Sequence, residues 1–355
     1  MHSKTIPLQL SLFQERTFPT TRYQGSKAKL TKWIWDKIKD LEFDSVLDAF
    51  GGTGSVAYML KIHGKEVTYN DILRSNANNA RALIENSGVL LSDEDVALLF
   101  NYSMDPGQPT FIADTFSDVY FTDEENLWID RMVHAIEGLL KGYKKNIAYY
   151  ALFQSCIIKR PYNLFHRKNL YIRTNNVKRS FGNKVTWDTP FEVHFRKFVH
   201  EANTAVFENG RKNRVLNLDA MSVPADYDFV YIDTPYVSGK GVGVNYFEFY
   251  HFLEGILRYD EWQDLVDRRS KHLKIKNSDD SWTNAKRIPT SFENLLDRFA
   301  AAKKAISYRS NGVPSVVELV QMIEARGQRA RVHYFENYKY VLSTQQNHEV
   351  LIVVE

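Results

Sequence analysis

The stretch SVLDAFGGTGSVAYML, residues 45–60, constrains this chain more than any other. A short apolar run ends near an acid, three glycines follow, and a helix-spaced apolar repeat begins. SVLDAF reads as a buried strand, and SVAYMLKIHG as a helix that Gly64 stops. EVTYNDI then reads as a second strand and SNANNARALIENSG as a second helix. Strand and helix alternating in this order predict a parallel, doubly wound α/β sheet. Gly51, Gly52 and Gly54 let backbone approach a ligand closely, and Gly52-Thr53-Gly54 with Ala57 fits G-x-G-x-x-A. Asp71 falls at the end of the second strand, where an acid can grip ribose hydroxyls. The loop points to a nucleoside-containing cofactor; a structural tight turn is the plainer reading of the glycines alone.

The rest of the chain suggests one sheet domain interrupted by an insert. GSKAKLTKWIWDKIKDLEF places Leu30, Trp33, Ile34, Ile38 and Leu41 at helical spacing behind a Ser26 cap. From about residue 90 to 211 the pattern turns mainly helical, around a basic, aromatic, aperiodic stretch at 160–191. Strands resume with RVLNLD, DFVYID, KKAISYRS and ARVHYF, and YKYVL and EVLIVVE are expected to pair as a C-terminal hairpin. FYHFLEGILRYDEWQDLVDRR and SVVELVQMIEARG read as helices. The expected organisation is a sheet domain of 1–89 and 212–355, with an inserted subdomain at 90–211.

Composition narrows the setting. No apolar window is long enough to span a membrane, and the N-terminal residues lack the charged-apolar-small order of a signal peptide. The single cysteine, Cys156, excludes an internal disulfide and fits a reducing cytoplasm. Net charge is only +3, yet residues 141–215 hold sixteen Lys/Arg against four Asp/Glu. A basic segment in an otherwise acidic chain suggests a polyanion footprint, with a solvated helical face as the bland alternative.

YDFVYIDTPYVSGKG, residues 227–241, carries the chemistry. An apolar strand ends in Asp233, followed by Thr234, Pro235 and Tyr236. The lone pair of an exocyclic nucleobase amine is delocalised into the ring, so methylating it needs acceptors for its two N–H groups. Asp233 offers a side-chain oxygen, and the carbonyl of Thr234 or Pro235 offers another. Pro235 stiffens the turn and biases Thr234 away from helix. Tyr236 offers a face on which a base can stack. The carboxyl edge of the sheet is where open α/β folds bind ligands. Asp48 disfavours a pyrophosphate cofactor by repulsion and suits water-mediated contact with a cationic amino group, such as that of S-adenosylmethionine.

Asp233-Thr234-Pro235-Tyr236 resembles the (D/N/S)-P-P-(Y/F/W) motif of amino-group DNA methyltransferases, with threonine where the family more often has proline. Residues 48–55, DAFGGTGS, resemble the D-x-F-x-G-t-G cofactor loop of that group, and RYQGSK, residues 22–27, its upstream element. YNDI (69–72), NLDA (217–220) and ISYRSNGVPS (306–315) are similar to further motifs. Their order resembles the α-class, D12-type adenine-N6 arrangement over residues 22–355. The resemblance implies a mostly parallel, seven-stranded, Rossmann-like methyltransferase sheet with an antiparallel C-terminal hairpin and an inserted helical DNA-recognition subdomain. It implies S-adenosylmethionine as cofactor, double-stranded DNA as partner and, within restriction–modification, a cognate endonuclease. It implies that Tyr23 and Lys27 contact the cofactor's amino-acid end, Lys27 toward its carboxylate. Asp48, Phe50, Gly52 and Gly54 would line the cofactor; Asp71 would hold ribose, Ile72 would lie against adenine, and Asp219 with Ala220 would meet the adenine amine.

The target base would be flipped from the duplex, with direct transfer and no metal. Cytosine-C5 chemistry needs a thiolate, and Cys156 in apolar QSCII reads as core. Aspartate at the first motif position favours adenine over cytosine-N4. Arg160, Arg167, Lys168, Arg173, Lys178, Arg179 and Lys184 are DNA-contact candidates, most of them to phosphate, and Lys240 would meet the backbone beside the flipped nucleotide. His166 has no partner at metal-ligand spacing. Competing readings are a cytosine-N4 or RNA methyltransferase, a nicotinamide-nucleotide oxidoreductase, which leaves the D-T-P-Y run without a role, and an inactive DNA-binding protein.

Overall fold

The computed structural model describes residues 16–20, 22–175, 184–237, 245–276, 281–335 and 348–355. Helix α1 (Thr31–Ile38) is followed by β1 (Ser45–Asp48), α2 (Ser55–Ile62), β2 (Glu66–Asn70) and α3 (Arg74–Ala80), the alternation that the apolar pattern predicts. Helices then run from α4 (Asp93–Phe100) through α5 (Phe111–Thr115), α6 (Asp123–Leu139), α7 (Gly142–Ile158), α8 (Tyr171–Thr174), α9 (Lys184–Asp188) and α10 (Phe191–Ala205), with no strand among the described residues between β2 and β3 (Arg214–Leu216). The chain continues through β4 (Phe229–Ile232), α11 (Tyr246–Ile256), α12 (Trp262–Leu265), α13 (Ile288–Arg298), β5 (Lys303–Arg309), α14 (Val316–Glu324), β6 (Ala330–Phe335) and β7 (Glu349–Val354).

These strands form one seven-stranded sheet in the order β3-β2-β1-β4-β5-β7-β6. The first five are parallel, and β7 runs antiparallel between β5 and β6. Successive side chains on a strand point to opposite faces, so each strand feeds two cores. Leu47, Val230, Ile232, Ile306 and Ile352 pack with Phe292, Leu295 and Leu319 of α13 and α14. Val46, Phe229, Tyr231, Ala305 and Leu351 pack with α1, α2 and the inserted helices, including Trp128, Phe153 and Phe195. The inserted helices therefore share the core on one sheet face. Ser92 and Thr122 begin α4 and α6 with reciprocal capping boxes to Asp95 and Glu125, which satisfies backbone donors at both helix starts.

Three local expectations change. Ser26 does not cap a helix: α1 starts at Thr31, and the Ser26 hydroxyl instead lies 3.2 Å from Thr53 Oγ1 of the glycine loop. The long helix expected from residue 249 breaks after Ile256, because the chain folds back to lay Trp262 on Gly255, where any Cβ would collide with the indole. The hairpin partner of β7 is β6 rather than YKYVL, which falls outside the described residues.

Candidate active site

The sheet order reverses between β1 and β4, and their tips lie side by side, with Asp48 in register with Tyr231. The helix that joins β1 to β2, α2, and the helix that runs into β5 after β4, α13, pack on opposite faces of the sheet, so a crevice opens at the carboxyl ends of β1 and β4. Here lies a cavity of about 350 Å³ lined by parts of five sequence motifs. Tyr23 and Lys27 enter from the upstream element; Asp48, Phe50 and Gly52 from the first loop; Asp71 and Ile72 from the β2 tip; Asp219 and Ala220 from the turn after β3; and Asp233, Thr234, Pro235 and Tyr236 from the β4 tip. Gly54 is the exception among the expected residues. It stands just behind the wall, at φ +80° before α2, where a Cβ would press on Ile84. Gly51 is required for a different reason: the Tyr69 ring occupies the space of its missing side chain.

The walls are tied together by backbone donors. Asp71 accepts from Gly52 N and Leu73 N, both at 2.8 Å, and so fastens the glycine loop to the β2 tip. A carboxylate has about four acceptor positions, so ribose hydroxyls still find capacity there. Burial pushes Asp71 up to about 6 against those two hydrogen bonds. Asp219 Oδ1 accepts from Met221 N at 2.8 Å, so it caps its own short turn while facing the cavity. Tyr23 is stacked between Tyr250 and Tyr246, and its hydroxyl accepts from Asn76. Ile72 is an exposed apolar side chain in the lining, a surface suited to a planar base.

Among the described residues, the cavity lining holds four aspartates, Asp48, Asp71, Asp219 and Asp233, against Lys27 and Arg287. Asp48 is 1% exposed, and among the described residues neither carboxylate oxygen meets a partner at full hydrogen-bond geometry, the Ala57 backbone N–H only drawing its pKa down. Burial, then Asp233 and Asp71, hold its pKa well above the ordinary carboxylate value. Asp233 is raised to about 6 by burial, with Lys27 pulling it down and Glu349 pushing it up. Buried carboxylate oxygens without a full hydrogen bond, beside two further acids, fit a ligand that carries positive charge and N–H donors.

Around Asp233 the side chains close into a tight set. The Lys27 ammonium lies 3.2 Å from Asp233 Oδ1, 2.7 Å from Glu349 Oε1 and 2.6 Å from the Tyr236 hydroxyl. That hydroxyl lies 2.8 Å from Asp233 Oδ1 and 3.1 Å from Glu349 Oε1. Burial opposes the charge on Lys27, but Asp233 and Glu349 outweigh it and hold its pKa well above the usual lysine value. Lys27 lines the cavity as expected, yet its three N–H donors face this set rather than a cofactor carboxylate. Both contacts to Asp233 fall on Oδ1, so among the described residues Oδ2 is the oxygen free to meet a substrate N–H.

Glu349, Trp282 and Arg287 were missed by the sequence reading. Trp282 packs edge-on to Phe50 at 5.0 Å and lines the cavity with Arg287. Glu349 had one visible signal, an acid heading the otherwise apolar strand EVLIVV.

The DNA-contact candidates divide. Arg160 is 1% exposed and donates to the carbonyls of Leu164, Tyr120 and Arg167 and to Asn169. Arg173 is buried against Glu125 at 2.7 Å and the Tyr120 carbonyl. Both are corrected from surface contacts to internal struts: the planar guanidinium gathers carbonyls that no strand or helix satisfies in this irregular stretch. Arg167, Lys168 and Lys184 are exposed, with Lys168 paired to Asp118 and Lys184 to Asp188. Lys178, Arg179 and Lys240 lie outside the described residues. His166 is half-buried against Phe249. Cys156 is fully buried in α7, away from the cavity.

Two similarities to known proteins bear on this site. Residues 23–305 match the family of D12 class N6 adenine-specific DNA methyltransferases. The chain is also similar to the type II methyltransferase M2.HphI of Haemophilus parahaemolyticus, at 29% identity over 323 residues that cover 89% of this chain and 90% of the relative.

Proposed function

This chain belongs to the D12 class of N6 adenine-specific DNA methyltransferases, and from that premise we propose that the cavity at the β1–β4 switch holds S-adenosylmethionine and a flipped adenine. One observation carries the cofactor assignment: Asp48, buried, without a full hydrogen bond among the described residues and beside Asp71 and Asp233, suits a ligand bearing an ammonium and a sulfonium. When bound, that cofactor would supply an electrophilic methyl group: its bond to sulfur breaks as the amine lone pair forms the new N–C bond, and the nitrogen then returns to neutral by losing one of its two protons to solvent. Asp48 would face the ammonium, Asp71 the ribose, and Ile72 and Phe50 the adenine ring.

The residues of the β4 tip act on the target. Asp233 Oδ2 accepts one N–H of the amine, and the Thr234 or Pro235 carbonyl accepts the other, which turns the lone pair out of conjugation and toward the donor. As nitrogen gains positive charge, the ionised carboxylate stabilises it more than it stabilised the neutral amine, which is where the rate comes from. Tyr236 supports this with its hydroxyl held at Asp233 and its ring in the cavity wall. The helical insert at 90–211 would be the target-recognition subdomain, with Arg167, Lys168 and Lys184 as its described phosphate contacts.

The M2.HphI relative supports a role in type II restriction–modification, with a cognate endonuclease as functional partner and the prokaryotic cytoplasm as site. Mass spectrometry of nucleosides after incubation with duplex DNA and S-adenosylmethionine tests the reading. N6-methyladenine is expected; N4-methylcytosine alone, or methylation of RNA in preference to duplex DNA, overturns it.

A further inference from the structure

We propose that Glu349 is a positioning residue for methyl transfer: it shares the Lys27 ammonium with Asp233 and, with Lys27 and Tyr236, fixes Asp233 toward the target amine. This rests on the reading of Asp233 as the amine acceptor. Glu349 opens the last strand, 113 positions after Tyr236. It reaches the site because β7 alone among the strands beside β5 runs antiparallel, so its first residue lands at the edge where the parallel strands end. Its side chain is fully buried, and Lys27, Tyr236 and Ser307 all lie within 3.1 Å of Oε1.

The charge count explains why a second carboxylate is kept there. Lys27 alone would place its full positive charge on Asp233 and weaken that oxygen as an acceptor. With Glu349 closer to the ammonium, at 2.7 Å against 3.2 Å, the set of Asp233, Glu349 and Lys27 carries a net negative charge. That charge faces the nitrogen as it turns cationic, and a low-dielectric cavity magnifies the effect. The set also fixes geometry. Three N–H donors of Lys27 and the Tyr236 hydroxyl are all engaged, which leaves Asp233 little rotational freedom and orients Oδ2. The other ionisable groups facing Asp233 among the described residues are Asp48, from the β1 tip, and Tyr231, from β4.

The test is kcat for adenine methylation between pH 5 and 9, with cofactor affinity and thermal midpoint measured alongside. Glu349→Gln should lower kcat by about tenfold or more while cofactor affinity stays within about threefold. Its acid limb should move to lower pH, since removing the neighbouring negative charge lets Asp233 ionise more readily. Lys27→Gln should move that limb the opposite way. Glu349→Asp keeps the charge, so its acid limb should stay near the wild-type position even as kcat falls, and it serves as the probe where Glu349→Gln does not fold. Wild-type kcat in Glu349→Gln, or a lower kcat with an unmoved limb, overturns the proposal, as does wild-type kcat in Glu349→Asp. Asp233→Ala separates the two readings: if it remains active, the acceptor assignment fails; if it is inactive while Glu349→Gln is normal, only the role of Glu349 fails.

Discussion

The switch-point cavity and the basic stretch beyond α7 use the same kinds of residue in opposite ways. In the cavity, buried charge is incompletely matched: among the described residues Asp48 has no hydrogen-bond partner at full geometry, and Asp233 shares the Lys27 ammonium with Glu349. In the basic stretch, buried charge is largely engaged, with Arg160 closing on four acceptors and Arg173 on Glu125 and two carbonyls, although Arg173 Nε meets no partner among the described residues. An incompletely satisfied charge destabilises the free protein and is available to a ligand; a satisfied one stabilises the fold and is not. The contrast teaches that charge density alone does not mark a binding surface.

The largest expected effect breaks the cavity side. Asp233→Ala should reduce kcat by about 10³-fold while cofactor affinity changes by no more than a few-fold. A collapse in cofactor binding would instead put Asp233 with the cofactor. On the other side, Arg160→Ala should leave the Leu164 and Arg167 carbonyls and Asn169 without this donor, and Tyr120 with that of Arg173 alone, at a cost of about 2–4 kcal/mol in urea unfolding. A loss under about 0.5 kcal/mol, with DNA affinity reduced, would return Arg160 to the surface role.

Asp48→Asn sharpens the comparison, because its two effects have opposite signs. Cofactor affinity should fall by about tenfold, as a facing charge is lost. The free enzyme should become more stable, as a buried carboxylate without a full hydrogen bond is removed. The pH dependence follows the same logic. Asp48, Asp71 and Asp233 all have raised pKa values in the fold, so their protonated forms favour it. The stability they allow is complete below the ordinary carboxylate range and is lost as pH rises through about 6, where Asp71 and Asp233 ionise. Thermal midpoints of the free enzyme should therefore decline across that window, less steeply in Asp48→Asn. A midpoint that rises with pH there would mean the acids are paired in solution.

The cavity was legible in sequence because topology does the assembling. Once GGTG, YNDI and DTPY are each read as the end of a parallel strand, one edge of one sheet must gather them. Glu349 was not legible for the same reason reversed: an antiparallel strand presents its first residue at that edge, and no spacing rule links it to Asp233. Ser26 and the break after Ile256 depended on contacts with Thr53 and Trp262 that are distant in sequence or hidden within an apolar repeat. In the basic stretch, periodicity is absent and residue type is the only guide. An arginine that collects loop carbonyls and one that meets phosphate are the same letter, and only burial separates Arg160 and Arg173 from Arg167.

The smallest effect tests the side chains that burial leaves available. Arg167 and Lys168 stand exposed at the loop that Arg160 holds from within, through its bond to the Arg167 carbonyl. The Lys168 pair with Asp118 is solvent-exposed on both sides, and such pairs contribute little to stability. Replacing both cations with alanine should leave the thermal midpoint nearly unchanged. Each phosphate contact releases condensed counterions, so the double variant should show a log–log salt dependence of DNA binding shallower by about 1 to 2 units. The weakening should be uniform across DNA sequences, because phosphate carries no sequence information. An unaltered slope would assign these cations to the solvated face and move the phosphate-binding surface elsewhere on the insert. A loss confined to one sequence would make one of them a reader of bases.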